Sequence, residues 1–525
     1  MVTDVNVLVV GAGPTGLLLA AELCRRGVAC RVIDVHPAPL HWDRATVVHP
    51  RSLEVFESLG ILEPLLAAGV KQRKARLHSA GSVLGEIDLS TCGSRYGFNI
   101  GISEEVTESI LTEYLHQQGG KVIRSAKLVE LGDHKDGLIA TILHDGKRQQ
   151  VFARWVVGCD GYHSSTRKLS GIETSGYDLI KPWAVFDATL TGWPDAYEAN
   201  YAYLDEIPVI LTALPKRRWR VYLRPSSPES DLVADAASTI KRYLPMIGFD
   251  AVSNPARFQC HSKVATRYRS GRVLLAGDAA HVCSPAQGHG MNSGLQDSFN
   301  LAWKLALVCQ RHCTTVLLDS YDAERRPVAE AIAASGDEVE RAQSVTDPTE
   351  RRSRDETFQA MFADPASRHH ESIAEAELDI DYGNSPIVMG DKHDVLAPGQ
   401  RVPDTIIVYF ASGKTCMLHE LCFRANHTAL IIGGLSVCYN RLSQLDSSLW
   451  IGRAASIIEA SVLLTARSDD RNQCAWIAPT ASDQLGVSEV TLLVVRPDGH
   501  VGLRADSNHL EALAAYEALL VSRRT

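Results

Sequence analysis

Residues 5–10, Val-Asn-Val-Leu-Val-Val, form an apolar run too short and too continuous for an amphipathic helix, and they predict a buried parallel strand. Gly11, Gly13 and Gly16 follow at dinucleotide-binding spacing, which suits a tight turn, close backbone approach to a pyrophosphate and tight helix packing. Pro14 and Thr15 lie between the last two glycines, where the helix opens. Residues 17–26 supply that helix, Gly27 stops it, and residues 28–33 return as a strand ending at Asp34. The Asp34 carboxylate is placed to accept hydrogen bonds from a ribose diol. A lone glycine triplet is often an incidental turn; strand, helix, strand and terminal acid together predict an adenine dinucleotide.

Further along, a helical pattern at Ile110, Leu111, Tyr114 and Leu115 stops at Gly119-Gly120. Strand-like segments at 121–131, 138–143 and 149–157 then suggest a meander covering the first sheet. They end in Asp160-Gly161, with Ser164 and Arg167 one helical turn apart; a plain turn and helix cap fits this segment almost as well as a ligand site. From 181 to 261 the chain alternates apolar and polar positions, with strands at 183–190, 199–204, 209–214 and 219–223, the pattern of an antiparallel sheet. Period two puts Trp219, Val221 and Leu223 on one face and Arg220, Tyr222 and Arg224 on the other. That polar face either binds a phenolate or flavin edge or is simply solvated.

A second ligand cradle lies near the middle of the chain. The apolar strand 273–276 runs into Gly277-Asp278, then a loop from Pro285 through Gly288, His289, Gly290, Met291 and Asn292, then a long helix with Leu295, Phe299, Ala302, Ala306 and Cys309 on one stripe. Such an order aims free N–H groups and a positive helix end at something anionic. Beyond 396 an α/β pattern resumes, with strands near 429–432, 461–465 and 490–495 and a closing helix at 510–520.

Composition narrows the partners. With 53 basic and 62 acidic residues the chain is mildly acidic, which argues against nucleic acid and anionic membrane. No stretch approaches the ~18 uncharged apolar residues of a membrane span. Twelve cysteines without a C-x-x-C or a zinc spacing predict reduced thiols in a cytoplasmic protein, and no metal site is expected; His369-His370 is a pair without partners.

These segments, in order, resemble the class A flavoprotein monooxygenases of the phenol hydroxylase and polyketide hydroxylase branch. The resemblance implies an α/β fold: a Rossmann-like FAD-binding domain of the para-hydroxybenzoate hydroxylase type (1–180 and 266–395), an inserted antiparallel substrate-binding sheet (181–265), and a thioredoxin-like domain (396–525) without a redox cysteine pair. It places Gly11, Gly13, Pro14, Thr15, Gly16 and Asp34 at the adenosine end of noncovalent FAD. Asp160 and Arg167 fall on a motif associated with FAD and NAD(P)H, and Gly277-Asp278 on the motif whose aspartate holds the ribityl chain. Pro285, Gly288, Gly290, Met291 and Asn292 match the loop facing the flavin ring. Arg44 falls on a flavin-contact segment, although by composition alone it reads as an ordinary surface arginine. Glu104 stands where many relatives have a glutamine beside the flavin, and Gln287 and His289 depart from the usual flavin loop. The implied activity consumes NAD(P)H, with NADPH favoured, and O2, and hydroxylates a small aromatic substrate through a C4a-hydroperoxyflavin. Tyr222, Arg220 and His289 are the candidates for handling the phenolic proton; for His289 a bond to its own loop is the competing role. The C-terminal domain is structural or serves assembly, a homodimer being the form considered. Baeyer–Villiger or epoxidising chemistry is the nearest alternative, and a noncatalytic FAD-fold carrier a more distant one.

Overall fold

The computed structural model describes residues 3–40, 45–194, 198–450 and 457–521, so Arg44 lies outside the described residues. Strand Thr3–Val10 forms as the apolar run predicts and sits between two parallel neighbours, Cys30–Ile33 and Lys147–Gly158. Val273–Leu275 and Val122–Ile123 extend the parallel array outward on either side. Val7, Leu8, Val9 and Val10 are all buried, as expected of a strand covered on both faces. The hairpin of Ala126–His134 and Gly137–His144 joins the same sheet along Lys147–Gly158. The expected meander is thus an extension of the first sheet, because Lys147–Gly158 is long enough to pair with both partners.

A seven-stranded sheet follows the order Gly248–Phe258, Trp183–Thr191, Arg218–Leu223, Val209–Leu214, Ala199–Tyr203, Lys74–Ser79 and Ser82–Asp88. Its middle matches the alternation read at 183–223. The expected segment 181–265 does not complete it, however: two strands come from 74–88, where Ala199–Tyr203 pairs in parallel with Lys74–Ser79. Lys216 and Arg217, at φ of 62° and 58°, make the tight hairpin tip between Val209–Leu214 and Arg218–Leu223. Trp219, Val221 and Leu223 pack into the sheet's core with Phe186 and Leu211. The opposite face is buried too, with Arg220 only 4% exposed, so it is not a solvated face.

By contacts the chain divides into two compact units. Unit 1 comprises 1–24, 29–298 and 326–378; unit 2 comprises 25–28, 299–325 and 379–525. Unit 2 therefore draws on more than the expected 396–525. It contains an eight-stranded mixed sheet whose central strand, His427–Gly433, is fully buried between Ile458–Thr465 and Val490–Val495. All twelve cysteines are free thiols. Among the described residues, no helix is long and apolar enough to cross a membrane.

Candidate active site

Unit 1 holds a cavity of about 1130 Å³ whose wall joins both glycine-rich cradles. One end is built by Gly11, Gly13, Pro14 and Thr15, at the start of helix Pro14–Arg25. Gly11 has φ of 106°, and a Cβ there would lie 2.2 Å from the Cys159 carbonyl oxygen, so only glycine fits this turn. At Gly13 an added Cβ would meet nothing nearer than Glu108 Oε1 at 3.8 Å, which leaves its backbone open to a ligand. Asp34 accepts hydrogen bonds from the Ala12 N–H at 2.7 Å and the His36 N–H at 2.8 Å. Its carboxylate thus fixes the turn and, with about four acceptor sites, retains capacity for a diol. Arg124 lies 3.6 Å from Asp34 on the same wall. Sequence reasoning missed this arginine, whose one signal is its position just past strand Val122–Ile123.

The other end is formed by Asp278 and by Pro285, Gly288, Gly290 and Met291 at the start of helix His289–Cys309. Gly288 takes φ of 73°, closing the short Pro285–Gln287 turn, and a Cβ at Gly290 would meet nothing within 4 Å. The helix start therefore presents bare backbone and a positive end toward the cavity. Asp278 is exposed on the cavity wall. Asp160 is also on the wall, but its carboxylate accepts from Ser164 Oγ at 2.5 Å and from the Thr166 N–H and Oγ at 3.0 and 3.1 Å, which caps helix Ser165–Leu169. Glu104, at the start of helix Glu104–Gln117, accepts from the Ala45 N–H at 3.2 Å.

Six of the expected site residues stand behind the wall. Gly16 and Gly277 are packing positions, against the Gly11 carbonyl and the Thr15 side chain. Arg167 donates to the carbonyls of Ala279 at 2.9 Å and Tyr162 at 2.6 Å, so it is a strut between the Asp160 and Asp278 loops. Burial lowers its pKa, against the pull of Asp160. Asn292 donates to the Val47 and Gly288 carbonyls and accepts from the His49 N–H, each at 2.9 Å, pinning the loop from behind. Arg220 forms a two-pronged pair with Asp187 at 2.7 and 3.0 Å, and His289 turns to Glu377 at 2.7 Å while stacking on His49. Neither reaches the cavity, because each is held by a buried carboxylate that lies far away in sequence.

Tyr222 does reach it. Its hydroxyl lies 3.1 Å from Thr46 Oγ, and the residue belongs to a buried cluster with Trp183 and Val185 against which Ile210, Phe258 and Ala286 pack, the last from the Pro285–Gln287 turn. Thr46 was not foreseen, since 176 positions separate it from Tyr222. Nor was Glu340, a buried carboxylate that accepts from Trp183 Nε1 at 3.0 Å and from Ser284 Oγ and pairs with Arg224. It ties the seven-stranded sheet to the Ser284–Gly288 loop. Burial pushes the Cys283 thiol up to about 12 and raises Cys159 as well, so these two thiols stay protonated and are poor nucleophiles.

Residues 4–335 match the family described as FAD binding domain. A 6-methylpretetramide 4-monooxygenase from Streptomyces rimosus is 36% identical over 63% of this chain and 60% of its own length, so the match spans less than two thirds of that relative. A rifampicin monooxygenase from Rhodococcus hoagii is 30% identical over 96% of this chain and 95% of its own. The solved structure of an anhydrotetracycline hydroxylase from Streptomyces rimosus superposes with a TM-score of 0.78 at 27% identity, covering 100% of both chains. The chain belongs to the FAD binding domain family, whose members similar to it include monooxygenases.

Proposed function

We propose that the protein binds FAD noncovalently along the cavity and uses NAD(P)H, NADPH by preference, and O2 to hydroxylate a phenolic or polyketide-type aromatic compound. The reaction balances as aromatic C–H, O2, NADPH and a proton giving the phenol, water and NADP+. The observation that carries this reading is that one cavity is lined by the dinucleotide turn, the bare helix start at Gly288–Met291 and Tyr222. The open backbone at Gly13 and Gly290 fits an elongated dinucleotide threaded between two helix N-termini. When bound, FAD supplies hydride acceptance and O2 activation.

This chain's own residues do the rest. Asp278 accepts hydrogen bonds from the ribityl chain, and Asp34 from the adenosine ribose. The Gly290 and Met291 backbone at the helix start holds negative charge on the isoalloxazine edge. Ile210, Phe258 and Ala286 keep water from the reacting ring. Tyr222 orients the substrate's phenolic oxygen and exchanges its proton, with Thr46 Oγ as the next group in the chain. The relatives' names, polyketide and rifamycin-class oxygenases among them, support a bulky aromatic substrate. The free thiols support a cytoplasmic setting, and a homodimer is the assembly we expect. Screening phenols and aromatic polyketides for stimulated NADPH oxidation, with product mass and regiochemistry, tests the proposal. It also separates hydroxylation from Baeyer–Villiger insertion and epoxidation. A protein that takes up no FAD would contradict it.

A further inference from the structure

Directly behind the flavin loop, His49, His289 and Glu377 converge with donor atoms all within 4.8 Å of one another, every one of the three buried. They come from the start of helix Pro50–Ser58, the first turn of helix His289–Cys309, and the chain just after helix Pro365–Glu375. Spread across the sequence in this way, they show none of the spacing by which ligand sets are read from sequence.

His49 donates from Nδ1 to the Glu375 carbonyl, which fixes the tautomer and leaves a lone pair on Nε2. That Nε2 is buried and has no hydrogen-bond partner. An orphaned buried nitrogen is costly in a folded protein and calls for an explanation. A ring held through one nitrogen by a backbone carbonyl, with the other nitrogen aimed at its neighbours, is how metal-ligating histidines are oriented. Glu377 has the matching support: one carboxylate oxygen takes a hydrogen bond from Gln296, while the other lies 2.7 Å from His289 Nδ1. Its backbone sits in the left-handed region at φ 57°, a strained conformation for a buried glutamate that the surroundings must hold in place.

We propose that His49, His289 and Glu377 form a binding site for a first-row divalent cation of the Zn2+ class. Two imidazoles and one carboxylate are a suitable donor set for such ions. Bonds of about 2.0–2.1 Å draw the three donors into a tetrahedral face, with the fourth position left to water. His289 exchanges its hydrogen bond to Glu377 for the metal, and Gln296 keeps the carboxylate oriented. His49 Nε2 lies 3.3 Å from where a Gly288 Cβ would sit, so a bound ion would brace the flavin loop from behind. The site needs neither the oxygenase activity nor the identity of the substrate.

The test is a Zn2+ titration of the FAD-loaded full chain against a chromophoric chelator, with metal analysis after dialysis. We expect one ion per chain and a higher melting temperature with Zn2+. His49→Ala and Glu377→Gln should abolish stoichiometric binding, and Gln296→Ala should weaken it roughly 10–100-fold. The exposed pair His369→Ala/His370→Ala should bind as the parent does. FAD content reports whether each variant is folded. Absence of stoichiometric Zn2+ on the unaltered protein overturns the proposal without recourse to any variant. So does binding that survives in folded His49→Ala, or that is lost in the His369/His370 variant.

Discussion

Unit 2 contains a charge cluster with no counterpart on the cavity wall of unit 1. Lys304, Glu324, Arg496 and Asp498 are all buried; Glu324 sits 2.6 Å from Lys304 and 2.8 Å from Arg496, and Arg496 2.5 Å from Asp498. Every charge there faces another, and the result is architecture. Burial opposes ionisation of Glu324, but Arg496 and Lys304 still hold its carboxyl down to about 2. On the cavity wall the polar groups are instead spread out. Tyr222, Asp278, Glu104 and Asp34 lie along one surface, backed by struts such as Arg167, Asn292 and Arg220. The contrast separates polar residues that hold the protein together from those positioned to meet a ligand. Arg220 and Tyr222 show it on a single strand, two residues apart: one is paired away with Asp187, the other is presented to the cavity.

The largest expected effect lies on the architectural side. Arg496→Met leaves buried Asp498 without its guanidinium partner and Glu324 with Lys304 alone, and should destabilise by about 3–5 kcal/mol in denaturant unfolding. Flavin content of the folded fraction should be unchanged; a loss of flavin with stability intact would erase the distinction. Tyr222→Phe should do the opposite, cutting product formation about 100-fold, or about 2.7 kcal/mol, with little change in melting. Substrate-free NADPH oxidation should be spared, and equal loss of both rates would move Tyr222 out of the chemistry.

Next in size is a pH effect. Burial, reinforced by Arg496, lowers the pKa of His427 to about 3 from 6.5, and neither ring nitrogen has a hydrogen-bond partner. Between those values the unfolded chain takes a proton that the folded chain refuses. Stability should therefore fall with pH from 6.5 toward 3, by about 1.4 kcal/mol per pH unit. Below about 4.5, Glu324 adds to the loss, since its folded pKa is depressed. His427→Gln should flatten the upper part of that slope, and an unchanged slope would assign the acid sensitivity elsewhere. Asp278→Ala should weaken FAD roughly tenfold, about 1.4 kcal/mol, by equilibrium dialysis. Ser164→Ala removes the cap that accepts from the Arg167 N–H at 2.9 Å and should cost about 1 kcal/mol.

Much of this was readable from local pattern. The opening strand, turn and helix, the central strands of the seven-stranded sheet and the loop from Pro285 to Asn292 all carry their signal within a few residues. Strands Lys74–Ser79 and Ser82–Asp88 escaped because charged residues break up their apolar pattern. They are held by backbone pairing to each other and to Ala199–Tyr203, with Lys74 and Arg76 paired to Glu86 at 2.5 and 2.6 Å across the strands. Glu340 and Glu377 escaped for a different reason: their partners are remote, Trp183 by 157 positions and His289 by 88. Pattern along the chain located the backbone cradles, but a buried carboxylate's choice of partner is a property of the folded packing. For the same reason Arg220 and His289 looked as well suited to proton handling as Tyr222.

The proposed reaction inserts one atom of O2 into an aromatic ring held beside Tyr222. The most direct measurement incubates the FAD-loaded protein with NADPH, isotopically labelled O2 and an aromatic compound that stimulates NADPH oxidation. The account predicts a product bearing one labelled oxygen on the ring, formed about 100-fold more slowly by Tyr222→Phe. Stimulated NADPH consumption without labelled product, or a labelled product formed equally fast by the variant, would contradict it.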